Sequence, residues 1–208
     1  MKHTDEATLQ YYRDNAEEIF ERYEAVSQSG IAEHFSSSFS PGSKVLDVGA
    51  GSGRDVRRLL ELGFDAYGAE PVEELRDLAI SKHPQLATRL FAGTVPNDLP
   101  IDQKYDGIIC SAVLMHIPPP QLPATLLTLL NLLTVNGRLL ISIPASRSDI
   151  NDKDRDPHGR LFNPITTDKL KALCNKLALK CAAEHVSEDA LQRQGTTWYT
   201  LLLMRRLQ

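Results

Sequence analysis

The spacing of apolar residues changes character along the chain, and the changes divide it into three stretches. From Leu9, the apolar positions Tyr12, Ala16, Ile19, Phe20, Tyr23 and Val26 recur at helical intervals, with carboxylates and arginines between them. This stripe predicts one amphipathic helix ending near Gly30. A shorter helix carrying Ile31, His34 and Phe35 follows and runs into the turn Ser38-Phe-Ser-Pro-Gly42.

Beyond that turn, short apolar runs alternate with helical patterns. Lys44 to Val48 reads as a strand ending in glycines, and Arg54 to Leu62 as a helix with Val56, Leu59 and Leu60 on one face. Gly63 is placed to end that helix. Phe64 to Ala69 is a second strand, Val72 to Ser81 a helix stopped before Pro84, and Thr88 to Ala92 a third strand. A fourth, Tyr105 to Ala112, centres on Ile108 and Ile109. Gln121 to Leu133 is an apolar helix closed by the turn Asn136-Gly137, and Arg138 to Ile143 is a fifth strand ending at Pro144. Strands alternating with helices imply a parallel sheet covered on both faces. After a polar stretch, residues 146–163, comes a helix with Leu170, Leu173, Cys174 and Leu177 at core spacing. Two strands near Lys180–Val186 and Thr197–Met204 follow with no helix between them, so they pair antiparallel if adjacent. The chain is thus expected to be an α/β protein, with residues 1–40 as a helical lid or appendage and 41–208 as the main domain.

Composition narrows the class. The chain has 208 residues, 42% hydrophobic and 24% charged, which suits one globular domain with a real core. A net charge of −4 argues against a dominant grip on a phosphate backbone, so nucleic acid is a disfavoured partner. Cys110, Cys174 and Cys181 are odd in number and form no close pair, which suits reduced thiols rather than disulfides or a zinc site; no metal is expected. The first residues contain no apolar run able to act as a signal, and no stretch is long and apolar enough to span a bilayer. The expected location is the cytoplasm, and the expected assembly a monomer or homodimer.

The turn after the first strand, Gly49-Ala-Gly51-Ser-Gly53, suits a backbone passing close to a ligand. A dinucleotide fingerprint would require G-x-G-x-x-G, but its third position falls on Arg54 or Val56. The pattern present is D-x-G-x-G-x-G, with Asp47 at the end of the strand. Val45 to Asp55 therefore resembles motif I of the class I S-adenosylmethionine-dependent methyltransferases. The resemblance implies a Rossmann-like, doubly wound sheet of seven strands, mostly parallel with a C-terminal antiparallel hairpin and helices on both faces. It implies S-adenosyl-L-methionine as cofactor, S-adenosyl-L-homocysteine as product, and a site built from Asp47, Gly49, Ala50, Gly51, Gly53, Arg54 and Asp55. Asp47 would face the methionine ammonium, a charge pairing that a pyrophosphate could not offer. Glu70, 17 residues after Gly53, stands where the family has an acceptor for the ribose hydroxyls, with Pro71 and Val72 against the adenine. The family's Gly-Asp after strand three is here Gly93-Thr94-Val95, so Thr94 replaces the adenine-binding carboxylate, with Asp98 as a possible substitute. Tyr105 to His116 is similar to the family's strand-four motif; it places Ser111 by the cofactor and gives Asp106 a supporting role.

Several further residues have two readings. His116 follows strand four at the ligand-binding edge of an open sheet, where it is a candidate general base or a residue that shapes the pocket. His158 and Arg160 sit in a polar loop at the same edge and either contact an acidic acceptor or are solvated. Tyr11, Tyr12 and Arg13 belong to a lid over the methionine end or to helix packing. Trp198 and Tyr199 are read as core or edge residues, and the cysteines as buried. A sulfonium donor needs little beyond an oriented nucleophile and exclusion of water, so the acceptor is not written in these motifs. A small-molecule acceptor is favoured by the lack of a recognition domain and of an Asn/Asp-Pro-Pro-Tyr motif. The alternatives are a methyltransferase acting on protein, tRNA or DNA, a non-catalytic S-adenosylmethionine-binding regulator and, weakest, a nicotinamide oxidoreductase.

Overall fold

A computed structural model of the chain describes residues 5–26, 30–100, 102–145, 147, 149–189 and 196–205. The elements run α1 (Glu6–Asp14), α2 (Ala16–Glu24), α3 (Phe35–Ser38), β1 (Lys44–Val48), α4 (Arg54–Glu61), β2 (Asp65–Ala69) and α5 (Glu73–Lys82). Then come β3 (Leu90–Phe91), β4 (Tyr105–Ser111), α6 (Leu122–Leu132), β5 (Leu133–Pro144), α7 (Thr167–Lys176), β6 (Leu179–Glu188) and β7 (Thr197–Arg205). The strands form one seven-stranded sheet in the order β3-β2-β1-β4-β5-β7-β6. Pairings through β5 are parallel, and β7 is antiparallel to both of its neighbours, so it alone is reversed.

Alternation along the central strands sends side chains into two cores, one on each face. Ile108, Cys110, Leu139 and Ile141 meet α6 and α7 through Leu126, Leu129, Leu170 and Cys174. Val45, Ile109 and Leu140 meet α4, α5 and the N-terminal helices through Val56, Leu59, Leu75, Ile19 and Phe20. Gly68 lies where this second layer closes on β2, and a Cβ there would stand 2.8 Å from the Ala50 Cβ and 2.9 Å from a Val56 methyl. Cys110 and Cys174 are buried free thiols and Cys181 is half-buried.

Four sequence expectations need correction. The N-terminal stripe is two helices, because Asn15 leaves the helical region (φ −122°, ψ 25°) and its Nδ2 donates to the Tyr11 carbonyl at 2.8 Å. The side-chain bond reaches the same carbonyl that the Asn15 backbone amide holds at 3.1 Å, so Asn15 closes α1 with both groups. The third strand shrinks to Leu90–Phe91. The fourth ends at Ser111, since Ala112 turns left-handed (φ 57°) and its amide is held by the Ser142 carbonyl and hydroxyl, at 3.1 and 3.2 Å. The fifth begins at Leu133, and residues 134–137 form a bulge opposite Asp106, so Asn136-Gly137 lies within the strand. Among the described residues, no helix is long and apolar enough to cross a membrane.

Candidate active site

At the carboxyl edge of the sheet lies a cavity of about 580 Å³. Its floor is the turn after β1, where Gly49 and Gly51 adopt φ of 76° and 56°. A Cβ on Gly49 would come within 2.5 Å of a Val113 methyl, and one on Gly51 within 3.1 Å of the Tyr23 ring. Of the residues singled out for the site, Tyr12, Asp47, Gly49, Ala50, Gly51, Arg54, Asp55, Glu70, Pro71, Val72, Gly93, Thr94, Val95, Ser111 and His116 all line this cavity. Gly53 does not. It caps the start of α4 at φ 74°, where a Cβ would strike Leu86.

Two carboxylates face the cavity from the ends of β1 and β2. Asp47 is 3% exposed, and no hydrogen bond reaches its carboxylate among the described residues. Burial, aided by the neighbouring Asp55 charge and opposed by Arg54, pushes its pKa well above the ordinary carboxylate value. A buried carboxylate without donors lacks a counter-charge, and an ammonium would supply one. Arg54 cannot release Asp55 to that role, since its Nε and Nη2 clamp both Asp55 oxygens at 3.0 and 3.2 Å. Glu70 accepts from the Gly51 amide at 2.8 Å and the Val72 amide at 2.9 Å, one on each oxygen. Each oxygen keeps a further lone pair, enough for a vicinal diol. Burial raises the pKa of Glu70 as well, and the two amides and Arg76 oppose the rise. These features fit an amino-acid nucleoside with an ammonium at one end and a ribose at the other.

The far half of the cavity is built from separate segments. His116 is buried, and its Nδ1 donates to the Leu161 carbonyl at 2.6 Å. In the neutral ring Nε2 is therefore proton-free and accepts from the Tyr12 hydroxyl at 3.2 Å. Burial lowers the His116 pKa to about 4, the Leu161 contact opposing and Arg160 reinforcing the shift. Tyr12 reaches this point because α1 is tied down at three places. Asp5 pairs with Arg155 at 2.7 Å, Thr8 Oγ1 accepts from the Leu161 amide at 2.8 Å, and Tyr12 meets His116. A second tie fixes α2 to the glycine turn, where Glu24 accepts from Ser52 Oγ at 2.8 Å and Arg57 at 2.9 Å.

The loop read as polar and solvated is largely buried around Asp156, Arg160, Leu161, Phe162 and Asn163. Arg160 lines the cavity, whereas His158 is outside, its ring 5.0 Å from that of Tyr11. Arg13 points away from the cavity onto Glu6, at 2.9 Å. Asp98 is exposed; it bridges Thr94 through its backbone and is not part of the lining, so it does not replace the missing adenine carboxylate. Asp106 sits at the opposite end of β4, holding the Lys44 amide at 3.1 Å. Trp198, read as core or edge, lines the cavity, and its Nε1 donates to Asp189 at 2.8 Å. Arg147, Phe162 and Met115 are further lining residues that sequence reasoning missed.

A family model described as a methyltransferase domain matches residues 11–187. Among curated proteins, a protein-L-isoaspartate O-methyltransferase of Gloeobacter violaceus is 30% identical over 131 residues, covering 61% of this chain and 60% of that protein. The chain thus matches about three-fifths of that relative's length. Among solved structures, the 1,6-didemethyltoxoflavin-N1-methyltransferase of Burkholderia thailandensis, holding 1,6-didemethyltoxoflavin and S-adenosylhomocysteine, superposes with a TM-score of 0.72 at 17% identity, covering 95% of this chain and 88% of that one. A magnesium protoporphyrin IX methyltransferase of Synechocystis, with S-adenosylhomocysteine bound, gives 0.70 at 19% identity, covering 96% and 100%.

Proposed function

The chain belongs to the methyltransferase-domain family, and on that premise we propose that it transfers a methyl group from S-adenosylmethionine to a small-molecule acceptor. The feature that carries this is the cavity, with the buried Asp47 carboxylate and Glu70 at one end and a roof of the chain's own α1 and α2. Its volume of about 580 Å³ falls in the range of small-ligand sites.

Asp47 holds the ammonium, Glu70 the ribose hydroxyls, and Pro71 and Val72 flank the adenine, with Thr94 offering a weaker polar contact. When bound, the cofactor supplies an electrophilic methyl on a sulfonium. The protein's part is to align the nucleophile and keep water out. Tyr12 and His116 form the proton path. A hydroxyl oxygen that has taken a methyl is a strongly acidic oxonium, so its proton passes to the Tyr12 oxygen while the Tyr12 proton moves to His116 Nε2. A base of pKa about 4 suffices for such an acid and stays proton-free at neutral pH.

The test is calorimetry with S-adenosylhomocysteine, followed by labelled methyl transfer into small-molecule extracts and protein fractions. Binding that falls at least about tenfold in Glu70→Ala, with label entering small molecules, is expected. Label entering only protein would favour the second reading, a protein carboxyl acceptor, which rests on the likeness to the isoaspartate enzyme.

A further inference from the structure

The hydrogen-bond chain through Tyr12 and His116 runs between two ends that each allow one polarity. At one end the Leu161 carbonyl can only accept. The neutral His116 ring therefore carries its proton on Nδ1, and Nε2 takes the bond from the Tyr12 hydroxyl. At the other end Arg160 Nη1 lies 3.5 Å from the Tyr12 oxygen. A guanidinium has donors and no acceptor, so it cannot draw the Tyr12 proton away from His116. That contact is long, and the charge of Arg160 counts for more in it than the bond.

Arg160 is built into this place. It is 8% exposed, and its Nε and Nη2 donate to Asp156 Oδ2 at 2.9 and 2.6 Å. The guanidinium carbon lies 4.7 Å from the centroid of the Tyr11 ring and 5.3 Å from that of Phe162. Asp156 Oδ1 accepts from the His158 and Arg160 amides at 3.0 and 2.9 Å, which folds the loop that carries the Leu161 carbonyl. One buried carboxylate thus fixes both ends of the chain. The other groups around the pair do not cancel Arg160. Arg147, past the end of β5, acts on the ring in the same direction, and Asp156 opposes but weighs less than Arg160. Tyr23 of α2, beside Tyr12, stays neutral because burial raises the pKa of its hydroxyl.

We infer that Arg160 is a positioning residue for the Tyr12–His116 pair. Clamped by Asp156, it leaves the Tyr12 proton no direction but His116, and its charge keeps the His116 ring empty between turnovers. This rests on the proton path proposed above and adds the residue that directs it.

The test is nitrogen NMR of the full chain carrying isotope-labelled histidine, with His116→Gln picking out the His116 signals among the six histidines. In the wild type at neutral pH, Nδ1 is expected to be protonated and Nε2 bare. At about pH 5 the wild-type ring should be about one-tenth protonated and the Arg160→Gln ring about half, a gain in proton affinity of about tenfold. Arg160→Lys keeps the charge and has donors only, so it should return the ring towards wild type. A wild-type ring protonated on Nε2, no gain in Arg160→Gln, or an equal gain in Arg160→Lys overturns the proposal. If Arg160→Gln does not fold because Asp156 is left as an unpaired buried charge, Asp156→Asn/Arg160→Gln removes the pair together. The gain there is expected to be smaller but present, and its absence overturns the proposal equally. No methyl donor or acceptor enters the measurement, so a failure of methyl transfer would be seen separately and would leave the hold of Arg160 on the ring to be judged by these signals.

Discussion

At the residue scale, Asp47 and His116 make opposite demands on the folded state. Asp47 is a buried carboxylate with no donor among the described residues, so Asp47→Asn should stabilise the ligand-free protein by about 1 kcal/mol and weaken S-adenosylhomocysteine binding at least about tenfold. Thermal melts and calorimetry on one preparation check both signs. His116 has its pKa lowered from 6.5 to about 4, mainly by burial. Between those values the unfolded chain takes up a proton that the folded one refuses, so stability rises with pH across that window. The contribution is fully present above about pH 6.5 and is lost towards about pH 4, with a ceiling of about 3 kcal/mol. Asp47 and Glu70, whose pKa values are raised, act in the opposite sense, because acid relieves their buried charge. Urea unfolding of wild type and His116→Gln at several pH values isolates the histidine: the variant should lose this slope, and parallel curves would contradict it. The donor half of the cavity could be read from sequence because Asp47, the glycines and Glu70 sit at strand ends whose positions follow from local patterning. Arg147, Phe162 and Trp198 could not, since only the path of the loop after β5 and the insertion of β7 bring them to the same wall.

At the scale of elements, α2 is anchored in the second core by Ile19 and Phe20, whereas α1 is held over the cavity by a few polar ties. Thr8 Oγ1 donates to Asp5 Oδ1 at 2.7 Å and accepts from the buried Leu161 amide at 2.8 Å. Thr8→Val keeps the shape but leaves that amide unsatisfied, at a cost of about 1–3 kcal/mol. Amide exchange should then quicken together in α1 and in residues 155–163, with β4 unchanged; exchange confined to α1 would show that the two segments are not coupled. The order of elements was readable from periodicity, since each core strand and helix carries its own stripe. Boundaries were lost where a backbone choice overrides the stripe. Asn15 breaks a continuous apolar face, Ala112 turns left-handed against Ser142, and the bulge at residues 134–137 hides inside β5. None of these leaves a mark on hydrophobic spacing.

At the scale of the molecule, the sheet and its second core leave little slack at Gly68. Gly68→Ala would press on Ala50 and Val56, neighbours that cannot swing aside, and should destabilise the fold by about 1–3 kcal/mol in denaturant melts. An unchanged midpoint would mean that β2 and α4 can part without cost. The placement of β7 has a consequence for assembly in time. It lies between β5 and β6, yet it follows both in the chain, and its Leu201 and Leu203 belong to the first core. A chain growing on the ribosome therefore exposes β6 with no strand beside it, and β5 as an open edge, until residues 197–205 emerge. Through that interval the nascent protein is a five-stranded sheet with a sticky flank, and it becomes safe from its neighbours only when β7 slots between β5 and β6.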